Sequence, residues 1–340
     1  MATKKHGTEG ALEYLDEQIE ALKRHVPAAI GGFDQTAIHQ ARVATRRLKA
    51  GLDLLAPLCE KSAAKPLMKA GRTLRRRLGP LRDLDVVIDH LKSYPAPTSI
   101  KPAIEWQLNR MEKARIAARE EDVRDGKPPA KQLAPFEGWW SLRHALAEHS
   151  AAIRAILTDA LHDGFHQFSL DADRLCGDSG AASIDVHQLR IHGKAVRYLF
   201  EIAEADGIRI PKSVFKSFKA MQESLGSWHD CVVLAELTMG ESAEAQLAHH
   251  DPASAMRVLD LAKLFLRDSA KELGRFKSRW RKSGVMVRRV LAERAPLSRD
   301  VSNEISVLAG ATQSGTDPDR SAPGSTSPAA PSPQDGSPAT

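Results

Sequence analysis

The 340-residue chain is poor in cysteine: Cys59, Cys176 and Cys231 lie far apart, and no C-x-x-C spacing occurs. That argues against a disulfide framework or a thiolate zinc site, and suits small buried hydrophobes in a reducing compartment. Aromatic residues make up only 5% of the chain, and no window approaches the apolar length of a membrane span. Met1 to Gly10 holds Lys4 and Lys5 with no apolar stretch behind them, so no secretory leader is read and a cytoplasmic protein is expected. The P-loop pattern G-x-x-x-x-G-K-[ST] and the H-E-x-x-H pattern are both missing. No convincing strand run appears.

What is present is helical. Ala, Leu, Arg, Lys and Glu dominate long stretches with apolar residues three and four apart. The periodicity predicts helices over Glu9 to Ala29, Gln35 to Leu58, Ser62 to Leu78, Leu81 to Leu91, Ile100 to Val123 and Trp139 to His162. It continues with Ser183 to Ala205, Pro211 to Leu225, Trp228 to Leu237 and Ala253 to Leu273, followed by a basic segment. Pro and Gly predict breaks at Ser93 to Pro97, Asp125 to Pro135 and Gly177 to Gly180, without regular helix or packing. Residues 308–340 are mostly Ser, Pro, Gly, Ala and Thr, too poor in apolar groups to offset ordering entropy, and read as a disordered tail.

The formal charge is +6, and the stretch from Ser306 onward holds Asp317, Asp319 and Asp335 against Arg320 alone. The preceding body is therefore more basic than the whole, which suggests an acidic partner such as nucleic acid, a phosphate polymer or an anionic surface.

An internal repeat organises the chain. Ile38-His39-Gln40-Ala41-Arg42-Val43 returns as Val186-His187-Gln188-Leu189-Arg190-Ile191, and the match continues from Arg46 to Lys194 and from Lys49 to Arg197, at an offset of 148. One helix later Leu78-Gly79-Pro80-Leu81-Arg82-Asp83 returns as Leu225-Gly226-Ser227-Trp228-His229-Asp230, offset 147. A duplicated helical unit is implied, with one repeat over residues 8–135, the second over 139–295, and the halves packed about a pseudo-twofold axis.

Helix geometry turns these matches into rows. His39, Arg42, Arg46 and Lys49 follow steps of three, four and three, so they share a face about 15 Å long. His187, Arg190, Lys194 and Arg197 form the same row in the second half. Beside them run apolar stripes, Ile38, Ala41, Leu48, Leu52 and Leu55 in one copy and Val186, Leu189, Val196, Phe200 and Ala203 in the other. The next helix adds Lys65, Lys69, Arg72 and Arg76; its counterpart offers Lys212, Lys216 and Lys219 but has Glu223 where Arg76 would fall. Like charges four apart repel, and these rows hold no acid until Asp53 and Glu201 end the first pair. An external phosphate polyanion would relieve that repulsion, with Arg giving bidentate contacts and Lys a mobile charge.

At these residues the sequence resembles the CHAD family, the conserved histidine α-helical domain. The segments are His39 to Lys49, Leu78 to Val86 and His187 to Tyr198, three motifs in order, and the resemblance covers residues 8–295. It implies an all-α fold of two four-helix-bundle-like repeats, with basic residues lining a central channel or cleft that binds inorganic polyphosphate. It further implies association with polyphosphate granules, and with granule proteins as candidate partners. Some members are fused to a triphosphate tunnel domain; no counterpart of its strand motifs is visible, so this chain resembles the stand-alone form. The residues expected to hold the polymer are His39, Arg42, Arg46, Lys49, Lys69, Arg72, Arg76, His187, Arg190, Lys194, Arg197, Lys216 and Lys219.

His162 and His166 lie four apart, but Gly164 between them and the lack of a nearby acidic or thiolate set give little for a metal. Asp83 and Asp230 read as helix-start carboxylates or as partners orienting an arginine. No cofactor and no catalytic constellation is expected, so binding is favoured over hydrolysis. Nucleic acid is the alternative partner, suggested by the charge balance and by Arg275, Lys277, Arg279, Arg281 and Lys282 around Trp280. No helix-turn-helix or aromatic stacking pattern stands out, although a basic surface gives non-specific binding regardless.

Overall fold

The computed structural model describes residues 9–177, 185–242 and 251–292. Among them the regular elements are helical throughout: α1 (Gly10–Pro27), α2 (Gln35–Leu55), α3 (Lys61–Ser93), α4 (Lys101–Asp125), α5 (Pro129–Leu133), α6 (Trp139–Ala147), α7 (Ser150–Cys176), α8 (Val186–Ala205), α9 (Lys212–Ser242) and α10 (Pro252–Ala292). None of these helices is long and apolar enough to cross a membrane. The expected tail and the residues at both outer ends of the repeat unit lie outside the described residues.

Several expected breaks are absent. Leu78 to Leu81 was the predicted end of one helix and start of another, yet α3 runs 33 residues with Pro66 and Pro80 inside it. Proline in a helix interior costs ~3 kcal/mol or more. Here Leu74, Leu78 and Leu81, all at most 1% exposed, bury their side chains on both sides of Pro80 and hold the helix together. In the same way α9 passes straight through Gly226, with Leu225 fully buried beside it. The reverse error falls at Trp139 to His162: the chain leaves helical geometry at His149 (φ −111°, ψ 26°), separating α6 from α7. Neither Gly nor Pro marks that turn. The segment Asp125 to Pro135 is also corrected, since it contains α5, started by prolines whose fixed φ suits a first turn, and Gln132 is buried there. The chain remains packed just beyond, at Phe136.

Both apolar stripes face inward. Ile38, Ala41, Leu48, Leu52 and Leu55 on α2, and Leu189, Val196, Phe200 and Ala203 on α8, are at most 1% exposed. They join a large core that also takes in α1, α3, α7, α9 and α10. A second cluster forms where the C-terminal part of α3 (Val87, Ile88, Leu91) and that of α9 (Leu234, Ala235) meet α4 and α10. Each cluster thus draws on both halves of the chain. The order of packing is the same in the two halves: α1 on α2, α2 on α3 and α3 on α4, then α7 on α8, α8 on α9 and α9 on α10. Across the halves α1 meets α8, α7 meets α2, α2 meets α8, and α4 meets α10.

Gly193 illustrates how the sequence serves this packing. A Cβ there would approach Phe168 Cε2 to 3.1 Å, so the glycine inside the basic helix makes room for an aromatic core side chain.

Candidate polyanion-binding site

The two row-bearing helices start at aspartate caps. Asp34 accepts from the Ala37 N–H at 2.7 Å, and Asp185 accepts from the His187 and Gln188 N–H groups at 2.8 and 3.3 Å. Each cap is worth ~1 kcal/mol and fixes where the helix begins. The starts are not equivalent: Gln35 opens α2 a full turn before His39, whereas Val186 opens α8 immediately before His187.

Between α2, α3, α8 and α9 lies a cavity of ≈ 550 Å³. From α2 come His39, Arg42 and Arg46, and from α8 Arg190 and Lys194. The C-terminal half of α3 adds Arg82, Asp83 and His90, and the middle of α9 adds His229 and Asp230. Val86, Val87, Val233 and Leu234 supply apolar wall. Four arginines and one lysine therefore confront two carboxylates, in surroundings where water screens charge less than at an open surface.

Arg42 is held in place by its neighbours. Its Nη1 donates to the Arg75 carbonyl at 2.8 Å, while Arg75 Nη1 donates to the Thr45 carbonyl at 2.9 Å, so α2 and α3 clasp each other. Asp83 Oδ1 stands 3.5 Å from Arg42 Nη2. That corrects the helix-start reading of Asp83: it sits deep within α3, as Asp230 does within α9, and only its orienting of an arginine survives. The Nε atoms of both Arg42 and Arg190 are buried and have no hydrogen-bond partner among the described residues. A charged donor left unpaired in the interior is costly.

The crowding of cations shows in the proton affinities. Burial pushes Lys194 down to about 8, helped by the charges of Arg190 and Arg46. Burial and Arg190 likewise push His229 down to about 4. His39 is lowered by burial and then by Arg82, Arg46 and Arg42. Each shift means that these surroundings disfavour the charged form.

The remaining expected site residues lie outside the cavity lining. His187 is near it, its ring centroid 5.2 Å from that of His229. Lys49 pairs with Asp53. Arg197 Nε donates to Glu201 Oε1 at 3.0 Å, and Arg47 Nε donates to Glu201 Oε2 at 2.7 Å, so Glu201 ties α8 to α2. Lys69, Arg72, Arg76, Lys216 and Lys219 are exposed. Of these, Lys219 faces Glu223 at 3.9 Å. Arg76 lies in a separate groove with Arg77 and Asp122. Sequence reasoning overlooked Arg82 and His229, which occupy the same place in the two Leu-Gly motifs and both line the cavity. The repeat itself held that signal, since a titratable residue in both copies just before a shared aspartate marks a common face.

A family model, the CHAD domain, matches residues 13–238. Among solved structures the chain is similar to the CHAD domain from the plant Ricinus communis, at 24% identity with a TM-score of 0.55, covering 86% of this chain and 94% of that one. It is also similar to PptA from Streptomyces chartreusis, at 16% identity with a TM-score of 0.52, covering 81% of this chain and 99% of that one. At these identities the two structures speak to the fold alone. No curated protein matches.

Proposed function

The chain belongs to the CHAD domain family, and from that premise we propose that it binds inorganic polyphosphate in the cavity between α2 and α8 and is thereby carried onto polyphosphate granules in the cytoplasm. The observation that carries this reading is the convergence of Arg42 and Arg46 from one half with Arg190 and Lys194 from the other on a single cavity. A linear polymer of phosphates presents closely spaced charges along one line, so one chain can neutralise cations contributed by both helices at once. Mixed arginine and lysine favour this further: guanidinium groups grip phosphate oxygens bidentately, and the lysine adjusts to whichever oxygen is near. The two halves are the two repeats in this proposal, related by a pseudo-twofold. The reciprocal contacts of α1 with α8 and of α7 with α2 support that relation.

The role is binding and not cleavage, with nucleic acid as a weaker, salt-sensitive partner and granule proteins as further contacts. Competition tests it. Long-chain polyphosphate, fluorescently labelled, should remain bound in the presence of duplex DNA at equal phosphate concentration. Displacement by the DNA would overturn the polyphosphate reading in favour of a general polyanion surface. Steady release of inorganic phosphate from the polymer with Mg²⁺ would overturn the non-enzymatic one.

A further inference from the structure

The ring of cations in the cavity is chemically uneven. Arg42, Arg46, Arg82 and Arg190 carry guanidinium groups, which stay protonated and are poor nucleophiles. Lys194 contributes the one amine among the described lining residues, at the place where the first repeat has Arg46. Its Nζ makes no hydrogen bond or ion pair within 4 Å among the described residues; Asp230, on the same cavity wall, favours its ammonium form, and burial and the neighbouring guanidinium groups outweigh it. Arg190 and Arg46 stand close enough for their charges to act on it. An amine placed this way sits beside groups that seize a phosphate, and it is able to react with whatever that phosphate carries.

Building on the phosphate-binding reading of this cavity, we propose that Lys194 is a site of acylation by small acyl phosphates. The phosphate end of the donor lodges among Arg42, Arg46 and Arg190, which brings the acyl carbon to the lysine. The neutral amine's lone pair attacks the carbonyl carbon and a C–N bond forms. The C–O bond to phosphate then breaks, inorganic phosphate leaves with the electron pair, and the proton on nitrogen passes to water. The product amide can no longer take up a proton, so the cavity keeps only its four guanidinium cations and its grip on polyphosphate weakens. Acyl phosphates are products of kinase and phosphotransferase reactions. The class of reaction that supplies the modifier is therefore the phosphorylation of a carboxylic acid.

A neutral fraction of Lys194 is available near neutral pH because burial and its neighbours bring the group down to about 8. Exposed lysines such as Lys49, Lys216 and Lys219 have no such cavity around them. They serve as internal references.

The full chain is treated with acetyl phosphate, and acetylation at each lysine is followed by peptide mass spectrometry across pH 6.5 to 10. Lys194 should react at least ten-fold faster than Lys216 and Lys219, its rate should level off above about pH 8 to 9, and excess tripolyphosphate should suppress it. N-acetoxysuccinimide, a donor without phosphate, should show a much smaller preference for Lys194. Equal rates at Lys194 and the reference lysines, or equal preference with both donors, overturn the proposal. Polyphosphate affinity of the untreated protein is measured alongside. Polymer binding without selective acetylation sinks this inference alone, whereas selective, tripolyphosphate-sensitive acetylation without long-chain binding sinks the polymer reading and leaves the acyl-phosphate site. Lys194→Gln should lower polyphosphate affinity as acetylation does, and Lys194→Arg should abolish the modification.

Discussion

Arg42 and Gly79 meet across the α2–α3 interface so closely that a Cβ at residue 79 would lie 3.2 Å from Arg42 Nη1. The glycine of the Leu-Gly-Pro motif is thus a space left for a guanidinium. At the matching place in the second half, a Cβ on Gly226 meets nothing within 4 Å. The same substitution should therefore have opposite consequences. Gly79→Ala should shift the Arg42 guanidinium by a few tenths of an ångström, strain its bond to the Arg75 carbonyl and lower polyphosphate affinity. Gly226→Ala should leave affinity nearly unchanged and raise stability by ~0.5–1 kcal/mol, because alanine is the better helix former. Denaturant titration and polyphosphate binding on the two variants check the pair.

Removing the paired arginines should damage binding and spare the fold. Arg42 makes one backbone hydrogen bond and one loose ion pair, so Arg42→Ala costs about 1 kcal/mol of stability. In Arg190 a buried Nε without a partner is lost, which relieves a desolvation cost. The double variant Arg42→Ala with Arg190→Ala should keep its helical circular dichroism and lose at least a hundred-fold in polyphosphate affinity. Raising salt should weaken the wild type in the same direction. Undiminished affinity in the folded double variant would refute the cavity as the site.

The outer rows separate the two halves. Lys69 and Arg72 make no ion pair among the described residues, and Arg72 lies near enough to Arg75, and Arg75 to Arg46, for their charges to act on one another. Positive potential therefore runs from the cavity over α3. On α9 the counterpart of Arg75 is Gln222, Glu223 neutralises Lys219, and Arg197 is committed to Glu201. Lys69→Glu with Arg72→Glu should weaken binding of long polymers at least five-fold more than Lys216→Glu with Lys219→Glu. Binding of tripolyphosphate, too short to leave the cavity, should change little in either. A series of chain lengths measured by fluorescence anisotropy decides it.

How much of this could be read from residue order depended on distance along the chain. The helical class, the repeat and the rows were legible because periodicity and self-similarity are local or exact properties of the string. Which end of each row reaches the cavity was not: His39 lines it and His187 does not, a difference set by how α2 and α8 sit against their neighbours. Pro80 misled for a related reason, since the burial of Leu78 and Leu81 that carries α3 through it is a tertiary property. Glu201 looked like the end of a basic row; three-dimensional proximity to Arg47 made it a tie between the halves.

Binding should be coupled to proton uptake, with a definite sign. Burial and the neighbouring cations hold Lys194 at about 8 and His229 at about 4, and a bound polyanion would raise both by favouring their charged forms. A group with a higher proton affinity in the complex makes binding weaker as pH rises, from its free value up to its bound value. Affinity should therefore fall gradually above about pH 4 through His229, and again above about pH 8 through Lys194. Lys194→Arg places a permanent charge there and should remove the alkaline limb while leaving the acidic one. Calorimetry in buffers of different ionisation enthalpy would count the protons taken up.

The clamp between the halves rests on Glu201, and its loss should be felt in stability before it is felt in binding. Its carboxylate accepts from Arg47, from Arg197 and from the Tyr14 hydroxyl at 3.0 Å, and its side chain is only 14% exposed. Burial alone would raise its proton affinity, but the hydrogen bonds and charges of Arg47 and Arg197 outweigh burial and hold Glu201 below the usual carboxylate range. A depressed carboxylate contributes stability above its unfolded-state value and loses it as pH falls through the folded-state one. Glu201→Gln strands two guanidinium groups and should cost about 3 kcal/mol at neutral pH. The penalty should shrink toward zero in acid, where the wild-type carboxylate is itself protonated. Urea unfolding of both proteins from pH 7 down to pH 3 measures this directly; a difference that stays constant with pH would mean that Glu201 acts through packing and not through its charge.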